Sequence, residues 1–319
     1  MKSKRPARAR SHHASRARLT TLLGAVVLLS VFAACSGNDG EGGGGNSGAP
    51  GGSSPAPGGS SAAALVLSSA LVTKGEGSAR VALTISTAAP GVPQGFDVTG
   101  HGSVDFDGGR GRLAFQVPNV FGEDQASSSS QSIVTVYDGS ILYLGADFMS
   151  QIVPGGKRWL KVDAGKASGS LGPLAQLSQF GQSDPIAAFG LLEGLTGPVE
   201  TIDEDVDVRG APATHYRFTI DVGEALTKVS GVSRAQVEAL DKQGIDAIPA
   251  DVWLDAKGAV RRMQYRLDVP SAATGGGGKA KVAVRMELFD FGTPVDVEPP
   301  PADQVTDIGQ LMGHEAAGE

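Results

Sequence analysis

Few residues in this chain have the types and spacing that chemistry requires. Beyond residue 34 the imidazoles are His101, His215 and His314, far apart in sequence. His101 and His215 fall on the polar phase of alternating segments, so they read as solvated strand histidines. A metal site needs several such ligands brought together. Asp203, Glu204, Asp205 and Asp207 form an acidic run without the glycine and ligand spacing of a calcium loop. It reads as a charged strand that resists edge pairing. Ser127–Ser130 lie outside any G-x-S-x-G elbow, and no Ser-His-Asp arrangement is marked. Gly42–Gly45 and Gly275–Gly278 lack the strand-to-helix setting and the Lys-Ser/Thr of a phosphate-binding loop. The expectation is no catalytic residue, no metal, no cofactor and no enzymatic activity.

One residue stands apart. Cys35 is the single cysteine, so the chain holds no intramolecular disulfide and no multi-cysteine metal centre. It follows Phe32-Ala33-Ala34, at the end of the apolar run Leu19–Ala34. Seven basic residues and no acid precede that run: Lys2, Lys4, Arg5, Arg8, Arg10, Arg16 and Arg18. A basic start, a short apolar stretch and small residues before a cut site make a secretory signal. The run is shorter than the ~20 residues that span a bilayer comfortably. The site resembles the lipobox of bacterial lipoproteins, with Phe32 where Leu is usual. That resemblance implies cleavage before Cys35, a diacylglycerol thioether and an added fatty acid such as palmitate, and anchorage on the extracytoplasmic face of the cell membrane. Several acyl chains together hold a protein stably on a bilayer.

The net charge of −7 averages two unlike parts. Without residues 1–34 the chain has 20 basic against 34 acidic residues, a net −14. Such a chain repels phosphates, and with 5% aromatics it has little with which to stack bases, so nucleic acid is not an expected partner.

The organisation follows from composition. Residues 1–34 are the signal. Residues 35–61, rich in Gly, Ser and Pro, are the acylated cysteine and a flexible tether that has nothing to bury. Residues 62–298 are the folded domain, and 299–319 a loose, Pro-rich, acidic tail. In the domain, Ala62–Lys74 suits a helix, with Leu65, Ser68/Ser69 and Val72 at helical spacing. Period-two segments follow: Val81, Leu83 and Ile85; Phe96, Val98, Val104 and Phe106; Leu113, Phe115 and Val117. Asp138-Gly139 sits between Ile133–Tyr137 and Ile141–Leu144 as a hairpin turn. Asp184-Pro185 opens a central helix carrying Ile186, Phe189 and Leu192. Tyr216, Phe218 and Ile220 alternate with His215, Arg217 and Thr219; Ser233-x-x-Gln236 caps another helix ending at Gly244. Met263, Tyr265, Leu267 and Val269, then Val282, Val284, Met286 and Leu288, complete the pattern. The fold class expected is α+β: a curved antiparallel half-barrel of roughly ten strands, with helices packed on its concave face.

This order of elements resembles the LppX/LprA/LprF/LprG lipoprotein family of actinobacteria, itself similar in fold to the LolA/LolB carriers and the sensor RseB. The stretches that carry the likeness are Val208–Val222 (VRGAPATHYRFTIDV), Pro249–Met263 (PADVWLDAKGAVRRM), Leu288–Val297 (LFDFGTPVDV) and Arg158–Val162 (RWLKV). The likeness spans roughly Ala62–Val297, with a longer serine-rich insert at Glu123–Ser132. It implies an open half-barrel with an apolar pocket for lipid, glycolipid or acyl chains, and lipid binding or transport at the cell envelope. Val81, Leu83, Phe189, Leu192, Phe218 and Met286 are the pocket-lining candidates, chosen from the apolar phases. The rival expectation is an anchored sensor or accessory protein that docks another envelope protein.

Overall fold

The computed structural model describes residues 59–88, 95–118, 130–163, 187–228, 237–238, 240–270 and 278–308. The signal, Cys35, most of the tether, the serine-rich insert up to residue 129, the Asp184-Pro185 cap, the Ser233-x-x-Gln236 capping box and His314 lie outside them.

Among the described residues, the strands are preceded by the helix α1 (Gly59–Gly75). Its alanine-rich start favours helix, and Gly77, at φ +78°, turns the chain out of it. Six strands follow: β1 (Ser78–Ala88), β2 (Phe96–Asp105), β3 (Arg110–Pro118), β4 (Ser130–Asp138), β5 (Ile141–Ala146) and β6 (Trp159–Asp163). A single-turn helix, α2 (Met149–Ile152), stands before β6. Then come a 3₁₀ segment at Ala187–Gly194, β7 (Leu195–Val208), β8 (Ala211–Asp221) and α3 (Val222–Lys228). After a helical stretch ending near residue 242, the chain forms β9 (Ala247–Leu254), β10 (Val260–Pro270), β11 (Lys279–Phe289) and the short β12 (Val305–Asp307).

All twelve strands form one open sheet, in the order β12-β6-β5-β4-β3-β2-β1-β11-β10-β9-β8-β7. Neighbours are antiparallel except β12 and β6. The hairpin turns, among them the Asp138-Gly139 turn read from sequence, carry the backbone they need. Gly139 links β4 to β5 at φ +59°, and Arg209-Gly210 links β7 to β8 with both residues at positive φ. Asp255 closes the β9–β10 turn by accepting hydrogen bonds from the N–H groups of Lys257 and Ala259.

Register places one apolar row across nine strands: Ala146, Ile133, Phe115, Gly100, Leu83, Met286, Met263, Val252 and Tyr216. A second row runs Val98, Ile85, Val284, Tyr265, Ala250 and Phe218. These rows share a face, since side chains alternate with a period of two. α1 packs against β7, β9 and β10, and the 3₁₀ segment against α1, α3 and β8.

Four expectations change. Among the described residues the strands number twelve, not about ten. The central helix is 3₁₀ over Ala187–Gly194. A side chain at Gly194 would run into Ala225 and the Asp221 carbonyl, so close approach to α3 shapes this stretch. The segment 299–319 is not loose throughout: Ala302–Gln304 makes a 3₁₀ turn and β12 pairs with β6. Lys157 Nζ donates to the Val305 carbonyl at 2.8 Å, and Ile308 is buried with Leu142 and Val162. The buried stripe of α1 also differs. Ala62, Val66, Ser69 and Thr73 face inward, whereas Leu65 is exposed and Val72 only half-buried.

The acidic run lies on β7, which forms one edge of the sheet. Register shifts between Thr201 and Asp203 and between Asp203 and Val206, with Asp205 at φ +61°, break the regular edge there. Bulges and charge together discourage strand addition.

Candidate functional site

The face under α1 and the 3₁₀ segment is the candidate site. Val81, Phe189, Leu192, Phe218 and Met286 are all buried in one continuous apolar cluster, and Leu83 packs against it. Leu83 and Met286 are direct cross-strand partners, with Val81 two residues along β1. Phe218 lies in the adjoining row on β8. Phe189 and Leu192 reach the cluster from the 3₁₀ segment. Residues chosen from four separate stretches of sequence thus meet in one place.

The part of the cover that α1 supplies is made of small groups, while the 3₁₀ segment adds Phe189, Leu191 and Leu192. α1 turns Ala62, Val66, Ser69 and Thr73 inward, with Ala63 and Ala70 packed beside them. The two buried hydroxyls satisfy themselves within the helix: Ser69 donates to the Val66 carbonyl at 2.7 Å and Thr73 to the Ser69 carbonyl at 2.6 Å. Thr73 Oγ1 also accepts the Val260 N–H at 2.9 Å, which ties the end of α1 to the start of β10.

The floor is low on one side. Gly100 on β2 leaves room that the Phe115 ring occupies; a Cβ there would meet the ring at 2.8 Å. Gly111 on β3 does the same for the Tyr137 ring. Both aromatics therefore lie across glycines instead of standing off the sheet. Tyr265 is fully enclosed, and burial pushes its phenol far above the ordinary range, so it stays neutral.

The opposite face carries a polar network that sequence phase alone misjudges. His215 is not a solvated histidine. It is buried, with Nε2 2.8 Å from Asp251 Oδ1 and its ring stacked on Trp253. Arg217 donates to the same Asp251 oxygen at 2.9 Å, and Arg266 lies 3.8 Å from the other. Arg262 covers the second face of Trp253 and pairs with Glu287, which Arg209 also holds. The signal was present: Trp253 and Asp251 are register partners of His215 and Arg217, but pairing is not visible in one strand. Partial burial raises the Glu287 carboxyl pKa, and hydrogen bonds and charge from Arg209 and Arg262 outweigh it, leaving that pKa low. His101, by contrast, is exposed on β2. Among the described residues, no group of three or more His, Cys, Asp or Glu is placed to hold a metal ion. Among them also, no helix is long and apolar enough to cross a membrane.

No family model matches the chain. A relative from Streptomyces griseus, an uncharacterized 31.2 kDa protein of the rplA-rplJ intergenic region, is 26% identical over 167 residues. That match covers 50% of this chain, and the chain spans about half the length of that relative. Among solved structures, the Mycobacterium tuberculosis lipoprotein LppX is similar at 17% identity and a TM-score of 0.40, covering 75% of this chain and 99% of LppX. LprF from Mycobacterium bovis is similar at 15% identity and 0.41, covering 78% and 100%. A LolA superfamily protein from Nitrosomonas europaea gives 11% and 0.28, covering 72% and 94%. The LppX and LprF likeness read from sequence recurs among these structures.

Proposed function

We propose that this chain is a membrane-anchored envelope lipoprotein that binds a lipid, glycolipid or other acylated molecule between its sheet and its helical cover. The signal at 1–34 directs export. Cys35 takes the acyl chains on the extracytoplasmic face, and the segment at 36–58 is the tether; residues 59–61, assigned to it from composition, belong to α1. The observation that carries this reading is the mismatch between floor and cover. The floor presents an apolar row across nine strands, eight of them with side chains, while α1, packed on β7, β9 and β10, turns only Ala62, Val66, Ser69 and Thr73 toward it. A helix that turns small groups inward gives up little packing when an acyl chain enters over Val81, Leu83, Phe218 and Met286, with Phe189 and Leu192 at its side.

Transfer of apolar surface from water drives such binding at ~25 cal/mol per Å². Phe189 and Leu192 lie on the 3₁₀ segment, so movement of that segment exposes the site and lets the ligand take the place of its side chains. Met286 adapts to irregular apolar partners. The role is binding and carriage, without catalysis.

The test is native mass spectrometry of the processed protein, followed by solvent extraction and lipid analysis. Lipid bound at about one per chain, and displaced by added fatty acid, is the expected result. A chain that purifies empty and takes up no lipid overturns the reading. In that event the Arg- and Trp-bearing opposite face supports the alternative, a sensor that docks another envelope protein, to be read by co-purification.

A further inference from the structure

α1 is inside out. Its buried positions include Ser69 and Thr73, and three leucines face outward: Leu65 at 45% exposure, Leu67 at 47% and Leu71 at 74%. These three, with Ile202 on β7, are the large apolar side chains exposed among the described residues. A 17-residue helix with one charge, Lys74 in its last turn, and no acid is an unusual surface for water. Leu67 and Leu71, one turn apart, share the side of α1 opposite Val66 and Thr73, while Leu65 lies on its flank; exposed apolar side chains grouped in this way mark a contact.

The chain itself says which contact. Only 23 residues separate Cys35 from the first residue of α1. A flexible segment of that length has a root-mean-square span of roughly 25–30 Å. With Cys35 acylated, α1 is the first folded element above the bilayer. Acidic groups, which an anionic leaflet repels, are missing from α1, and its lone charge is a cation.

We infer that the Leu67–Leu71 face of α1 seats in the lipid surface. The inference rests on the anchored reading above. An interfacial helix lies parallel to the membrane with its apolar face buried roughly 5–10 Å into the headgroup and acyl boundary. Seated so, α1 becomes the wall shared by the bilayer and the apolar cluster. Its outer leucines lie in lipid, and Val66, Ser69 and Thr73 lie over the sheet. A lipid leaving the leaflet then reaches the site beside or beneath α1 without crossing water. The N-terminal end of α1 is held by the tether, and its C-terminal end by the Thr73–Val260 hydrogen bond.

The test uses the full chain, exported and acylated, with Leu71→Cys as the one free thiol, since Cys35 is otherwise the single cysteine. Thr219→Cys, exposed on β8 on the opposite face, is the control. Each is labelled with an environment-sensitive fluorophore and placed on phosphatidylethanolamine–phosphatidylglycerol vesicles carrying a shallow nitroxide quencher. The expected result is a blue shift and several-fold stronger quenching at position 71 than at 219. Leu67→Gln, at an exposed position one turn from 71, then removes the difference while the protein still floats with the vesicles. A protein that floats with position 71 left in water overturns the seat while the anchor stands. A label at 71 already shielded before vesicles are added assigns the face to a second copy and overturns it as well. A chain whose mass shows no acylation at Cys35, and which does not float, overturns the anchored reading and the seat with it.

Discussion

The imidazole of His215 lies flat on the indole of Trp253, ring centroids 4.1 Å apart and planes within 10° of parallel. The stack joins β8 to β9 on the face away from the apolar cluster, and Asp251 holds its outer edge through His215 Nε2. A buried carboxylate with three cationic or ring partners fixes the register of β8, β9 and β10 together.

Asp251→Ala tests that role. It removes charge-assisted hydrogen bonds to His215 and Arg217 and the partner of Arg266. Arg217 and Arg266 are about half exposed and regain water, which moderates the loss. The expected destabilisation is about 1.5–3 kcal/mol, read from denaturant midpoints at unchanged slope. A variant within error of the parent would show that stacking on Trp253 suffices.

Glu287 sets the acid side of stability. Its folded pKa lies below the unfolded value because Arg209 and Arg262 hydrogen-bond to the carboxylate, against the opposing effect of burial. A depressed carboxyl pKa contributes stability that is full above the unfolded value of ~4.3 and is lost as pH falls through the folded one. Glu287→Gln therefore lowers stability at neutral pH and flattens the decline below about pH 4, in thermal melts taken across pH.

Tyr265 sets the alkaline side. Burial raises its folded pKa well above the unfolded value. The contribution is complete below ~10, and is lost progressively as pH rises from there through the folded pKa. Tyr265→Phe keeps the ring in the cluster and removes the ionisable group. Melts between pH 9 and 11, bracketing the ordinary tyrosine value of ~10, are expected to lose less stability in this variant than in the parent.

The alternation of β8 was plain in sequence, because Tyr216, Phe218 and Ile220 meet the core while Arg217 and Thr219 do not. The Asp138-Gly139 hairpin turn was plain too, since Gly139 supplies positive φ where the chain must reverse. β12 was not, because three residues with one buried position carry no period, and their partner β6 lies over 140 residues earlier. The orientation of α1 was hidden for another reason. A helix apolar on nearly every side has no stripe to read, so contact with β7, β9 and β10 decides which side turns inward. Val81, Leu83, Phe218 and Met286 fall on one face of the sheet because phase marks one face of each strand. Phase could not show that Phe189 and Leu192 meet them from a 3₁₀ segment.

That segment depends on Gly194. A methyl group there would meet the Ala225 side chain and approach the Asp221 carbonyl oxygen at 2.8 Å. The carbonyl is backbone and cannot rotate away. Gly194→Ala is therefore expected to destabilise by about 1–3 kcal/mol, the usual range for overpacking. Hydrogen exchange should locate the loss in Ala187–Gly194 and α3, leaving β1–β5 protected as in the parent.

Thr73 is the tie between cover and sheet. Its hydroxyl accepts the Val260 N–H at 2.9 Å while donating to Ser69, and it is wholly buried. Thr73→Val keeps the volume and removes the acceptor. An orphaned buried N–H costs about 1–3 kcal/mol, so a global loss within that range is expected. The local consequence follows from position: α1 is released at the end nearest β10 and retains its packing at Val66 and Ala62. Exchange of the α1 amides is expected to speed up more than that of β9–β11. If α1 also covers a lipid site, the same variant should load and release a fluorescent fatty acid faster than the parent, with affinity changed less than rate. Equal acceleration throughout the sheet would show instead that the hydrogen bond serves only overall stability.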